Sequence, residues 1–227
     1  MIISIHVPKT AGTSFRLRLE AAYGARMLAD YGDWVGYNTP EAIERRATRM
    51  AEMRARRDEL IRDYDVIHGH FIADKYAGLF PNGRFAGFFR APYQQAVSNY
   101  RFLLRHKGAG HPGVDEFHRV KPSLIEFIAA VPNVQATYLG QVALDDFAMV
   151  GLTEQYERSV ALFGAVFARE MPPETERSTV NPERTEGETY DISPEVRQAV
   201  DRHRPADVEL YRRAVERFER LAARYGV

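Results

Sequence analysis

Ile2-Ile3-Ser4-Ile5-His6-Val7-Pro8-Lys9-Thr10-Ala11-Gly12-Thr13-Ser14-Phe15 is the stretch that decides how this chain folds. Residues 2–6 are β-branched and apolar, and Pro8, Gly12 and Thr13 follow them, which predicts a strand running into a small-residue turn. From Ser14 to about Tyr23, residues Phe15, Leu17, Leu19 and Ala22 recur at the spacing of a helix with one apolar side. A strand, a small loop and a helix start together make an anion site. Backbone N–H groups converge in the loop, and the helix terminus adds partial positive charge. Lys9 contributes a full charge, and Thr13 and Ser14 contribute hydroxyl donors. The order differs from the Walker form, in which Lys directly precedes the closing Ser or Thr; here Lys comes first. By spacing alone, an ordinary strand–turn–helix with a solvated Lys would read the same way.

The pattern repeats along the chain. Residues 24–39 hold Gly, aromatic and Asn residues and read as a surface loop. Pro40 then opens a charged helix to about Arg62. A second strand, Asp65 to His68, ends in Gly69-His70; a third, Arg84 to Phe89, ends at Arg90-Ala91-Pro92 and enters a helix from about Tyr93 to Arg105. Gly108 to Pro112 reads as a break, followed by helices near 122–130 and 134–140. A strand at Phe147 to Leu152 leads into a helix from Glu154 to Phe167, and a polar loop spans 172–188. Beyond Ile192 the chain reads as an amphipathic helical tail packing on the core, with Pro205 opening its last helix. Strands alternating with helices predict an α/β fold, a P-loop-like parallel β-sheet with helices on both faces, and 227 residues suit a single domain, 1–227.

Two further sites emerge from the residues. At the end of the third strand, Arg90 and the hydroxyl of Ser98, two turns into the helix, are spaced to reach one phosphate, with Arg giving paired donors. At the end of the second strand, His68 and His70 point the same way if the segment stays extended. A neutral His there suits proton abstraction near neutral pH, at the sheet edge where α/β proteins keep their ligands. A core-satisfied pair or a chance metal pair is the other reading. No third ligand lies at metal-site spacing.

The run His6 to Phe15 resembles the 5′-phosphosulfate loop of the Golgi-type carbohydrate sulfotransferases, closest to the branch of heparan and uronyl 2-O-sulfotransferases and their bacterial relatives. Phe88 to Tyr100 resembles the same family's 3′-phosphate motif, with Ala91 and Gln95 where the family often has Asp and a second Arg. The branch also carries a His-Gly-His segment between these motifs. The resemblance extends to Val150–Ser159, to Asn133–Gly140 and to the loop holding Asn181-Pro182-Glu183-Arg184. It implies the sulfotransferase fold and an enzyme moving a sulfuryl group from PAPS (3′-phosphoadenosine 5′-phosphosulfate) to a hydroxyl, with a carbohydrate acceptor. Lys9, Thr10, Ala11, Gly12, Thr13 and Ser14 would cradle the phosphosulfate, Arg90 and Ser98 would hold the 3′-phosphate, and Arg184 would close over the donor. His70 would act as base with His68 in support, Lys9 would stabilise the departing phosphate, and no metal is called for.

Composition narrows the field. Zero cysteines exclude disulfide frameworks, thiolate nucleophiles and zinc–thiolate sites. Basic and acidic residues balance at 31 each, so no global field draws in nucleic acid or an anionic membrane, and the expected partners are PAPS, its product PAP (3′,5′-ADP) and a saccharide or glycoconjugate. No run approaches the roughly 18 apolar residues of a spanning helix, and the N-terminal apolar stretch is too short for a signal peptide, which predicts a cytoplasmic protein. Two rival functions fit less well. A nucleoside-triphosphate-dependent kinase should show a Walker loop and a magnesium carboxylate after a strand. A non-catalytic nucleotide binder of the same fold would not need His70. The charged segments 24–62 and 105–121 are the expected acceptor-facing stretches.

Overall fold

The computed structural model describes residues 1–106, 112–173 and 189–227. Its elements run β1 (Ile2–Ile5), α1 (Gly12–Tyr23), β2 (Met27–Asp30), α2 (Pro40–Ala55), α3 (Arg57–Asp63), β3 (Val66–Gly69), α4 (Asp74–Ala77) and β4 (Arg84–Phe89). There follow α5 (Pro92–Arg105), α6 (Pro112–Val120), α7 (Leu124–Ala130), α8 (Val134–Leu139), β5 (Phe147–Leu152), α9 (Tyr156–Phe167), α10 (Pro194–His203) and α11 (Pro205–Tyr225). The strands form one sheet in the order β2-β3-β1-β4-β5, with every pairing parallel.

That order explains the composition of the strands. A parallel sheet is covered on both faces, so its strands read as nearly unbroken apolar runs. Ile3, Val66, Ile67, Phe147, Met149 and Val150 are all fully buried. Phe15 of α1 packs on Phe88 of β4 at 4.6 Å between ring centroids and on Phe163 of α9 at 5.0 Å, so α1 and α9 share one face. Phe85 and Phe89, alternating with Phe88, meet Phe147 on the other. Parallel crossovers are right-handed. The connection from β1 to β2 runs toward one edge and the later ones run back, so the later ones cover the face opposite α1. Because β1 is central, the loop after it lies mid-edge, flanked by the ends of β3 and β4.

Several elements differ from the sequence expectation: α4 and α6 are helices where none is predicted, α6 beginning at Pro112 where the expected break ends. The stretch read as a loop at 24–39 contains an edge strand, β2, whose four residues carry no alternation of their own and become a strand by pairing with β3. The charged helix expected from Pro40 to Arg62 is two helices, divided at Arg56, where ψ is 10°. Its start is as expected: Thr39 caps α2, its Oγ1 accepting from the Ala42 N–H at 3.3 Å, ahead of Pro40. Among the described residues no helix is long and apolar enough to cross a membrane.

Candidate active site

The loop between β1 and α1 is held open by backbone geometry. Lys9 and Ala11 both lie in the left-handed region, with φ of 66° and 65°, a conformation that costs a non-glycine residue energy and turns successive N–H groups to one side. Thr10 is buried, and its Oγ1 donates to the Val7 carbonyl at 2.9 Å, pinning the loop from within. Gly12, Thr13 and Ser14 open α1, where the first N–H groups have no helical acceptor. Thr13 and Ser14, in that turn, are half-buried. Lys9 Nζ lies 4.5 Å from the centre of the Phe102 ring and forms no ion pair among the described residues. Burial, with Arg90 and Arg105 nearby, lowers its ammonium from 10.5 to about 8.

The loop after β4 approaches from the next strand. Arg90 Nη1 donates to the Lys9 carbonyl at 3.2 Å, so the two cationic residues that the sequence holds 81 positions apart meet at one edge. Gln135 grips the main chain of Arg90 on both sides: its Oε1 accepts from the Arg90 N–H at 2.9 Å, and its Nε2 donates to the Arg90 carbonyl at 2.8 Å. Glu154 accepts from the Ala91 N–H at 2.9 Å. Ser98 is buried two turns into α5. Gln95, where the family often has Arg, donates through Nε2 to the Pro8 carbonyl at 3.0 Å.

On the other flank of β1, three histidine rings gather. His6 stacks on His68 at 5.3 Å and on His70 at 4.2 Å. His68 is enclosed, and both of its ring nitrogens are engaged: Nδ1 with Ser4 Oγ at 2.8 Å and Nε2 with the Gly12 carbonyl at 3.3 Å. A carbonyl only accepts, so Nε2 carries the proton and Nδ1 accepts from Ser4. Burial, reinforced by His70, holds the imidazole neutral, with its pKa down to about 3. His70 is bound differently. Its Nδ1 donates to the His6 carbonyl at 2.5 Å, which in the neutral ring leaves the lone pair on Nε2. His6 is also pushed well below its ordinary value by burial and by the neighbouring histidines, and its Nδ1 pairs with Tyr31 Oη at 2.9 Å.

The histidines and the anion loop are one packed unit. A side chain at Gly12 would meet the His6 ring at 1.9 Å, and one at Gly69 would meet the Asp30 carbonyl at 1.7 Å. Gly12 therefore lets α1 start against His6, and Gly69 lets the His-Gly-His strand end lie against β2. Lys9, Thr10, Ala11, Gly12, Thr13, Ser14, His68, His70 and Arg90 come together at one sheet edge, with Ser98 on the adjoining helix. Arg184 lies outside the described residues. The sequence assigns no role to His6, Tyr31, Gln95 or Gln135, although His6, Gln95 and Gln135 lie in segments that carry the resemblance. His6 alone carried a signal: two positions from Ser4 on one strand, it must share the face of His68 once β1 pairs with β3. Among the described residues no group of three His, Cys, Asp or Glu side chains converges as a metal cage.

No family model and no curated protein matches the sequence. Among solved structures, the chain is similar to mouse sulfotransferase SULT7A1 complexed with PAP, at 11% identity and a TM-score of 0.48, over 95% of this chain and 88% of that one. It is also similar to a sulfotransferase from Alicyclobacillus acidocaldarius, at 15% identity and a TM-score of 0.45, over 91% and 92% of the two chains.

Proposed function

We propose that this protein, read as one domain over residues 1–227, is a PAPS-dependent sulfotransferase acting on a hydroxyl of a carbohydrate acceptor. One observation carries the reading: the left-handed loop bearing Lys9 touches Arg90 on one flank and packs against His70's cluster on the other. Two cationic loops on adjacent strands suit a donor with phosphate at two positions, and a neutral histidine whose Nδ1 carries the proton suits the neighbouring acceptor.

In this mechanism the loop N–H groups, Lys9, Thr13 and Ser14 bind the 5′-phosphosulfate, and Arg90 with Ser98 binds the 3′-phosphate. The acceptor oxygen attacks sulfur in line. Its new O–S bond forms as the bond from sulfur to the bridging phosphate oxygen breaks, and His70 Nε2 takes the hydroxyl proton. Lys9 and the loop dipoles stabilise the charge arriving on the phosphate, and PAP leaves. His68 keeps its neutral ring bonded to Ser4 and Gly12, bracing the loop and the strand end. The acceptor class rests on the likeness of the His6–Phe15 and His68–His70 segments to the carbohydrate branch.

Calorimetric titration of PAP tests the donor half. Wild-type protein should bind PAP in preference to ATP, and Arg90→Ala should lose about 1.5–3 kcal/mol, the worth of a charge-assisted hydrogen-bond set. A wild type that binds ATP and ignores PAP makes the chain a kinase-type protein and ends this reading. His70→Ala should keep PAP affinity while turnover of a saccharide acceptor drops by about 10²–10⁴; unchanged turnover would remove His70 as the base.

A further inference from the structure

The junction between α10 and α11 lies within the last 35 residues, a stretch the sequence offered only as core packing. Its chemistry is unusual for a helical tail. Arg204 is fully buried, yet its guanidinium forms one hydrogen bond, Nη1 to Gln95 Oε1 at 3.0 Å, while Nε and Nη2 have no partner. Burial lowers its pKa to about 10 despite the nearby carboxylate of Asp207. Asp207 is equally buried. It accepts from the Ala136 N–H at 2.8 Å and so caps the start of α8, with its Oδ2 unpartnered. A buried cation held by a neutral amide is costly, and a purely structural position would be served as well by an apolar side chain.

Each of these groups leads to the candidate donor site. Arg204 holds Gln95, and Gln95 holds the Pro8 carbonyl, one residue before Lys9. Asp207 holds the turn of α8 that carries Gln135, and Gln135 clamps the backbone of Arg90. The Arg204-Pro205-Ala206-Asp207 elbow thus braces both proposed phosphate loops from behind. We propose that Arg204 is a positioning residue of the donor site: acting through Gln95, it orients the Pro8–Lys9 turn and adds buried positive charge behind the anion. This rests on the donor reading above.

The test compares PAP affinity and thermal stability for Arg204→Met and Gln95→Glu. Gln95→Glu separates function from packing. It gives the buried guanidinium a carboxylate, so the melting temperature should hold or rise. It also removes the N–H that bonds Pro8 and places negative charge behind the loop, so PAP affinity should fall about tenfold or more. Arg204→Met should weaken PAP binding about tenfold, and the double variant Arg204→Met/Gln95→Met should lose no more than the single one, because the two residues act in series. If Arg204→Met does not fold, Gln95→Glu decides alone. Wild-type binding with unchanged affinity in Gln95→Glu overturns this inference and spares the donor reading. A wild type that does not bind PAP overturns both.

Discussion

Two sets of charge, one buried and one half-buried, lie at the same edge of the sheet and are built on opposite plans. Behind the end of β2, Asp30 and Asp33 are both buried. Lys75 Nζ reaches Asp30 at 2.6 Å and Asp33 at 2.7 Å, Arg49 reaches them at 2.6 Å and 3.1 Å, and Tyr76 Oη donates to Asp30 at 2.8 Å. Burial alone would raise the Asp30 carboxyl, and Lys75, Arg49 and Tyr76 overcome it and hold it below the usual range. Across β1, Lys9 has no carboxylate among the described residues; burial and neighbouring arginines loosen its proton instead. Paired charge braces the fold, whereas the proposed donor site carries a cation with no carboxylate partner among the described residues. That difference would distinguish a scaffold network from the proposed binding site, both of them ionic and within a few strands of each other.

The comparison can be broken first on the paired side. Lys75→Met leaves two buried carboxylates with Arg49 as their cation and only Tyr76 beside it, and should cost about 3–5 kcal/mol of stability in denaturant unfolding. A loss under 1 kcal/mol would mean the network is not bracing the sheet. On the unpaired side the sign should reverse for stability. Lys9→Met removes a desolvated cation, so the free protein should be no less stable, while PAP affinity falls about tenfold to a hundredfold. A Lys9→Met protein that unfolds more readily would place Lys9 in the scaffold with Lys75.

The smallest effect is the pH dependence, and it sharpens the contrast. The folded protein holds the Lys9 proton less tightly than the unfolded chain, which takes it up near 10.5. Between about pH 8 and 10.5 the unfolded state binds more protons, so the Lys9 contribution to stability rises with pH in that window. PAP should reverse that preference. Its affinity should decline as pH climbs through about 8, by at most tenfold per pH unit, since its phosphates are already ionised there. Calorimetry across pH 7 to 9 on wild type and Lys9→Met would read this, and equal slopes in the two proteins would exclude Lys9 as the group responsible.

Much of this edge was legible in the chain. The runs at 2–6, 84–89 and 147–152 are mostly apolar because a parallel sheet buries both faces, and Pro8, Gly12 and Pro92 mark where strand becomes helix. Lys9, Arg90 and His70 are singled out by the resemblance of their segments to the sulfotransferase motifs, since a cation or imidazole at a strand end by itself leaves an ordinary structural reading open. β2 could not, since Met27-Leu28-Ala29-Asp30 has no periodicity and owes its form to the β3 edge. The pairing of Asp30 with Lys75 spans 45 residues, and that of Arg204 with Gln95 spans 109. Nothing local specifies either.

What the sequence by itself determined is the strand–loop–helix grammar and the residue types at each strand end, because backbone propensity and hydrophobic period act over a few neighbours. What only the tertiary structure decided is which buried charges find partners. That depends on strand order and helix docking, which bring Asp30 to Lys75, Arg204 to Gln95 and His6 between His68 and His70, and which leave Lys9 without a carboxylate among the described residues.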